Sequence, residues 1–327
     1  IVTADTDLTP VDLGSYSSRV TVMTGNAAIL KPHPSSILPT AMAVATCRRV
    51  LERAGFDPNL VLLATDSPDH PVTKELISHP DCRIIDYTGS QRFGTWIEQN
   101  AGDRLVFTET AGCNSVVFHS AQDFEKAAGA VVRAMSSFSS QMCTAPQNYF
   151  IPRSGVRSGD RVIAYEEAVQ ILVSAIDRIA GDNATGSAVC ATVQAESTLG
   201  NVEEMTARGE REGRILRRAS PVANPDYPDA RTCSPVLIES EPDNEDFYGE
   251  ERFGPIGFVI PVGTAEEGVE RATRQARSRG AISSYLYSTD EDFIEKALPA
   301  YIAAGASVSV NIDGGMPVNF MAAYSDY

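Results

Sequence analysis

Along the first third of the chain, apolar positions gather into short dense runs separated by stretches where they recur every three or four residues. Asn26–Leu30, Asn59–Ala64, Cys82–Tyr87 and Arg104–Thr108 are the dense runs, and each predicts a buried strand; Ile1–Ala4 also begins as one. Ser36–Ala54, closed by Gly55, Val72–Ser78 and Ser90–Asn100 carry helical spacing. Strands alternating with helices in this way imply a parallel sheet covered on both faces. No segment repeats at a fixed period, which excludes a solenoid.

A second series begins at Cys113. Strands are predicted over Asn114–His119, Gln147–Pro152, Pro235–Glu239, Gly257–Pro261, Ala281–Tyr287 and Ser307–Asn311. Helices are predicted over Ala121–Ser139, Val162–Ile179, Gly200–Arg218, Ala265–Ser278 and Glu291–Ala303, the third of them highly charged and exposed. At 327 residues the chain exceeds what one core usually serves, so two α/β domains are expected, with the boundary near Thr110–Gly112. Both ends read as cut from a longer polypeptide, since the first residues enter a strand directly and the last stop soon after one.

Charge narrows the partners. With 43 acidic and 27 basic residues the net charge is −16, spread without long like-charge runs, which argues against nucleic acid or an anionic membrane. No apolar run approaches the roughly 20 residues of a spanning helix. Six cysteines, widely spaced and without a CxxC pair, suit free thiols in a reducing cytoplasm and give no metal site.

Candidate chemistry sits at element ends. Cys143, in Ser140-Gln141-Met142-Cys143-Thr144, lies between a small-residue helix and an apolar strand, where a thiolate can act as a nucleophile; the other five cysteines are read as buried and inert. Glu109 ends a strand on the other side of the expected boundary and could activate water, or be an ordinary surface glutamate. Lys31 follows a strand directly, where it could meet a ribose or phosphate or simply face solvent. Gly89 and Ser90 form a strand-to-helix turn whose N–H groups can cradle a phosphate, although the GxGxxG fingerprint is missing. Glu251 and Phe253 pair an acid with an exposed aromatic that would suit a ribose and a flat ring, or belong to a plain Gly-Pro turn.

Taken in order, these segments resemble the aldehyde dehydrogenase superfamily. The resemblance is carried by Gly25 through Pro32, His79 through Ser90, Glu109 through Asn114, Gln141 through Thr144, and Glu250 through Pro255. Lys31-Pro32-His33-Pro34 and Gln141 through Asn148 look most like its phenylacetic-acid-degradation branch, the PaaN/PaaZ type. The resemblance implies a Rossmann-type cofactor domain over residues 1–111, an α/β catalytic domain over 112–310, and a segment 311–327 leading toward an oligomerisation region. It further implies NAD(P)-dependent oxidation of an aldehyde, possible CoA linkage included, in aromatic-acid catabolism, by a cytoplasmic homo-oligomer. Cys143 would be the nucleophile and Glu109 the base, with Lys31, Gly89, Ser90, Glu251 and Phe253 holding NADP or NAD.

Two departures from the family pattern carry weight. No Asn precedes Asn26, and Val11 through Tyr16, where an oxyanion-stabilising Asn is expected, contains none. The position three after Lys31 is Pro34 rather than an acid, which leans the cofactor toward NADP. The alternatives are a CoA-acylating dehydrogenase, in which CoA rather than water resolves the thioester, and a catalytically impaired nucleotide-binding or assembly subunit.

Overall fold

The computed structural model describes residues 2–4, 22, 24–110 and 112–313. The chain divides into two compact units, Ile1–Thr110 and Ala111–Tyr327.

The first unit runs β1 (Val2–Ala4), β2 (Ala28–Leu30), α1 (Ile37–Arg53), β3 (Val61–Leu63), α2 (Thr73–Ser78), β4 (Ile84–Thr88), α3 (Gln91–Asn100) and β5 (Leu105–Glu109). Its sheet has the order β3-β2-β1-β4-β5 with every pairing parallel. The chain therefore winds outward in one direction to β3 and then crosses back to β4, so the order reverses at β1. In open sheets of this kind ligands bind beyond the strands' carboxyl ends at that reversal. Ala28, Leu30, Val44 and Val61 form one small core. Ile77, Cys82, Ile85, Tyr87, Ile97 and Ala101 form another, with Phe93 edge-on to Tyr87 and stacked on Trp96. Arg104 locks the approach to β5 by donating to the carbonyls of Ala101, Cys82 and Ser78.

β3 starts later than the apolar run suggests. Asp57 accepts from the Asn59 N–H at 2.8 Å and folds Pro58–Leu60 into a 3-10 turn, leaving Val61–Leu63 as the strand.

The second unit contains β6 (Asn114–Phe118), β7 (Ser120–Ala121), α4 (Phe124–Ser136), β8 (Pro146–Pro152), β9 (Val156–Ser158), β10 (Arg161–Ile163), α5 (Tyr165–Gly181), α6 (Asn183–Val189), α7 (Glu196–Glu212) and β11 (Arg214–Arg217). It continues with β12 (Val236–Glu239), α8 (Glu245–Tyr248), β13 (Ile256–Val262), α9 (Ala265–Arg279), β14 (Ser283–Tyr287), α10 (Glu291–Ala304) and β15 (Ser307–Val310). Seven strands form one sheet in the order β11-β12-β13-β8-β6-β14-β15, parallel except for β11 against β12. β7, β9 and β10 make a small separate sheet.

The central strands are buried throughout, and their alternate residues enter two different cores. Val116, Tyr149 and Val259 pack with α4 and α5, whereas Val117, Phe150 and Phe258 pack with α9 and α10. Burial on both faces explains why these strands read as unbroken apolar runs rather than alternating ones.

One predicted helix is corrected. Residues 200–218 were expected to be a single charged helix, but α7 stops at Glu212 and Arg214–Arg217 pairs antiparallel with β12. Gly213 makes the break, because any side chain there would strike the Glu239 carbonyl. Arg214 then reaches Glu239 at 2.7 Å and Glu166 at 3.1 Å. The periodicity had also passed over the β9–β10 hairpin and the short helices α6 and α8. Among the described residues no helix is long and apolar enough to cross a membrane, and no three His, Cys, Asp or Glu cluster as metal ligands.

Candidate active site

The turn that carries Cys143 is built on unusual backbone. α4, capped at its start by Asp123 accepting from Lys126 N–H, ends at Ser136, three residues before its predicted end. Phe138, Ser139 and Ser140 then take φ of 54°, 55° and 54°, a left-handed conformation that costs a non-glycine residue about 1–2 kcal/mol. Side chains hold them there. Ser139 Oγ donates to the Ala191 carbonyl at 2.7 Å, and Ser140 Oγ donates to the Met135 carbonyl. Gln141 Nε2 donates to the carbonyls of Phe138 and Thr192, while its Oε1 accepts from the Gln194 N–H at 2.8 Å. Strained backbone maintained by surrounding contacts is a frequent mark of a functional segment.

Behind the thiol stands Asn114, at the start of β6. Its Nδ2 donates to the Cys143 carbonyl at 2.6 Å and the Ala145 carbonyl at 3.0 Å, and its Oδ1 accepts from the Ser283 N–H at 2.9 Å. One amide thus ties the Cys143 turn to the strands on either side. Cys143 itself remains partly exposed.

Glu251 reaches the same place. A Cβ on Gly112 would collide with Glu251 Oε1 and approach the Cys143 carbonyl at 3.1 Å, so only glycine fits between the carboxylate and the cysteine turn. The Glu251 loop is pinned by Gln147, whose Oε1 accepts from the Arg252 N–H at 2.6 Å and whose Nε2 donates to the carbonyls of Tyr248 and Glu250. Phe253, expected to be exposed, is half-buried. Its carbonyl accepts from Asn201 of α7, which draws the residue onto that helix.

The remaining thiols differ from Cys143. Cys82, Cys113, Cys190 and Cys233 are buried, as expected, whereas Cys47 is half-buried. Burial, reinforced by the Glu251 carboxylate, pushes the Cys113 thiol up to about 12. Burial likewise raises Cys190 and Cys233 to about 11 each. A raised pKa keeps these thiols neutral below it, so at pH 8 Cys113, Cys190 and Cys233 are almost wholly protonated. Iodoacetamide at pH 8 is therefore expected to label Cys143 and then Cys47 in the native protein, sparing the three until urea exposes them. Peptide mapping that finds Cys113 modified as fast as Cys143 would contradict this account.

In the first unit the singled-out residues line the carboxyl edge of the sheet. Lys31 follows β2, but it is not the solvated lysine that position allowed: its Nζ lies 3.0 Å from Asp66 Oδ2, with the two side chains 4% and 1% exposed. Gly89 and Ser90 follow β4, with Ser90 Oγ capping α3 at the Phe93 N–H. Gly94, in the first turn of α3, packs on Thr110 so closely that a Cβ there would strike the threonine methyl. Glu109 ends β5, half-buried, its carbonyl accepting from the Gly89 N–H at 3.1 Å.

The structure thus draws Cys143 and Glu251 together around Gly112, and sets Lys31, Gly89, Ser90 and Glu109 along one sheet edge. The expected oxyanion segment Val11–Tyr16 and residues 314–327 lie outside the described residues. Sequence reasoning passed over Asp66 and gave Asn114 no role. An acid three residues beyond an apolar strand was the available signal for the first; a buried amide at a strand start offers none.

A doubly wound parallel sheet in one unit and a braced, partly exposed thiol in the other define a Rossmann-type α/β protein with a cysteine site. The chain belongs to the aldehyde dehydrogenase family, whose model matches residues 9–320. A crystal structure of an NAD-dependent aldehyde dehydrogenase from Burkholderia multivorans is 34% identical, with a TM-score of 0.91 over 96% of this chain and 56% of that one. The NADP complex of glyceraldehyde-3-phosphate dehydrogenase GapN from Methanocaldococcus jannaschii, 18% identical with a TM-score of 0.76 over 95% of this chain and 63% of that one, shares the fold. A Mycobacterium tuberculosis protein provisionally named succinate-semialdehyde dehydrogenase (NADP+) 2 is 25% identical over 308 residues, 94% of this chain and 55% of its own length. The chain spans about half the length of the curated relatives it matches.

Proposed function

We propose that this chain supports NAD(P)-dependent oxidation of an aldehyde to a carboxylic acid through a covalent adduct on Cys143. The observation that carries the reading is the Cys143 turn: a partly exposed thiol on strained backbone, braced by Asn114 and flanked by Glu251 across Gly112. Family membership supplies the reaction class.

In the proposed reaction the Cys143 thiolate forms a C–S bond to the carbonyl carbon and the carbonyl oxygen takes the electron pair. Collapse of that thiohemiacetal restores the C=O bond and expels the carbon's hydrogen as hydride, leaving a thioester. NAD(P)+, when bound, supplies the hydride acceptor. Glu109 removes a proton from water, whose oxygen adds to the thioester; the C–S bond breaks and the thiolate returns. Asn114 keeps the Cys143 backbone in place through these steps.

The residues fit a dinucleotide. The turn at Gly89–Ser90 opens a ten-residue helix whose first N–H groups suit a phosphate, and Gly94 keeps that turn free of a side chain. Lys31 would meet the ribose side, and Glu251 and Phe253 the nicotinamide side.

For the substrate, Lys31–Pro34 and Gln141–Asn148 support an aldehyde of aromatic-acid catabolism, whereas the names of several relatives support a semialdehyde. Incubation with aromatic, semialdehyde and CoA-linked aldehydes, with and without free CoA, tests the reading. A carboxylic acid formed with stoichiometric NAD(P)H is expected. Acyl-CoA as the main product, or no reduced nucleotide with any aldehyde, would overturn it.

A further inference from the structure

We infer that Asp66 sets the nucleotide preference of the first unit, selecting a cofactor whose adenosine ribose carries a free 2′-hydroxyl. The inference rests on the nucleotide-binding reading above and deepens it.

Lys31 and Asp66 come from neighbouring strands. β2 and β3 pair through Leu30 and Leu63, and the Ala64 N–H extends the ladder to the Leu30 carbonyl at 2.8 Å. Lys31 is the next residue on one side and Asp66 follows shortly on the other, both at the carboxyl edge where ligands bind in such sheets. Asp66 Oδ2 meets Lys31 Nζ at 3.0 Å and accepts from the Val72 N–H at 3.2 Å. Among the described residues, Asp66 Oδ1 is buried and meets no hydrogen-bond donor. A buried carboxylate oxygen without a donor is costly, so the site calls for a donor that the described residues do not supply.

The two nucleotides differ at one group. A ribose 2′-hydroxyl can donate to a carboxylate oxygen, whereas a 2′-phosphate offers only acceptors and brings further negative charge to a lysine that already holds an acid. Dinucleotide folds use this contrast generally, with an acid for the hydroxyl and a cation for the phosphate. The carboxylate's terminal torsion is soft, so it can turn to share its oxygens between Lys31 and a hydroxyl. Pro34 removes an acid from the segment after β2 and by itself leans to NADP. Asp66 brings one back from the end of β3, and its pairing with Lys31 outweighs that lean.

Calorimetric titration of the whole chain with NAD+ and with NADP+ tests the assignment, without turnover. The wild-type protein is expected to bind NAD+ more tightly by at least about tenfold. Asp66→Asn should shift the ratio toward NADP+ by about tenfold or more, and adding Lys31→Met should erase that gain. A wild-type protein that binds NADP+ as tightly as NAD+, or an Asp66→Asn ratio that does not move, overturns the inference and leaves the dehydrogenase reading standing. Binding of neither nucleotide overturns both. Should Asp66→Asn fail to fold, Asp66→Ser takes its place, with the same shift expected and the same unmoved ratio overturning the inference.

Discussion

Replacing Cys143 with alanine is expected to abolish the burst of reduced nucleotide on mixing with an aldehyde, and to lower steady turnover by about ten-thousandfold or more. The other thiols of the second unit cannot take over. Cys113 lies close in sequence to the same glycine, but burial and the Glu251 carboxylate hold it neutral, and Cys190 and Cys233 are sealed in the core. Alanine removes only the sulfur: the carbonyl of residue 143 still accepts from Asn114, so the turn should persist and the melting temperature should change little. Rapid-mixing absorbance of NAD(P)H, with intact-protein mass before and after aldehyde, is the measurement. A burst of wild-type size in Cys143→Ala would remove the covalent mechanism.

The second large effect is expected at Glu109. In Glu109→Gln the first turnover should survive, because formation of the C–S bond and loss of hydride do not need the carboxylate. Steady turnover should fall by about a hundredfold to ten-thousandfold, the span typical of a positioned general base. The variant should accumulate a thioester on Cys143, visible as an added acyl mass and released by hydroxylamine. Loss of the burst together with the steady rate, with no adduct, would assign Glu109 to binding or folding instead. Unchanged turnover would make it one of the ordinary strand-end glutamates that its position also allows.

Much of the architecture was legible because the strands are buried on both faces. Tyr149, Phe150 and Ile151 are all sealed, and such runs stand out against any polar background. Helix starts were legible where a short polar side chain caps them, as Ser90, Asp123 and Asp290 do. Boundaries failed where a local contact outranked periodicity. Asp57 curled Asn59 and Leu60 out of β3, and Gly213 released Arg214–Arg217 to seek Glu239. The cysteine itself was legible from its place between elements. Its supports were not, because Ser139 and Asn114 act through carbonyls far along the chain, which no local pattern displays. Asp66 is the opposite case: its position was readable, but its mate on a neighbouring strand was not.

The left-handed residues ahead of Cys143 also bear on when this protein acquires reactivity. Ser139 and the adjoining Gln141 find partners 51 to 94 residues downstream, at Ala191, Thr192 and Cys233. A nascent or partly denatured chain cannot hold that backbone, since the left-handed conformation is disfavoured until those distant carbonyls arrive. On the mechanism proposed above, the Cys143 turn is thereby completed only once the surrounding domain has closed.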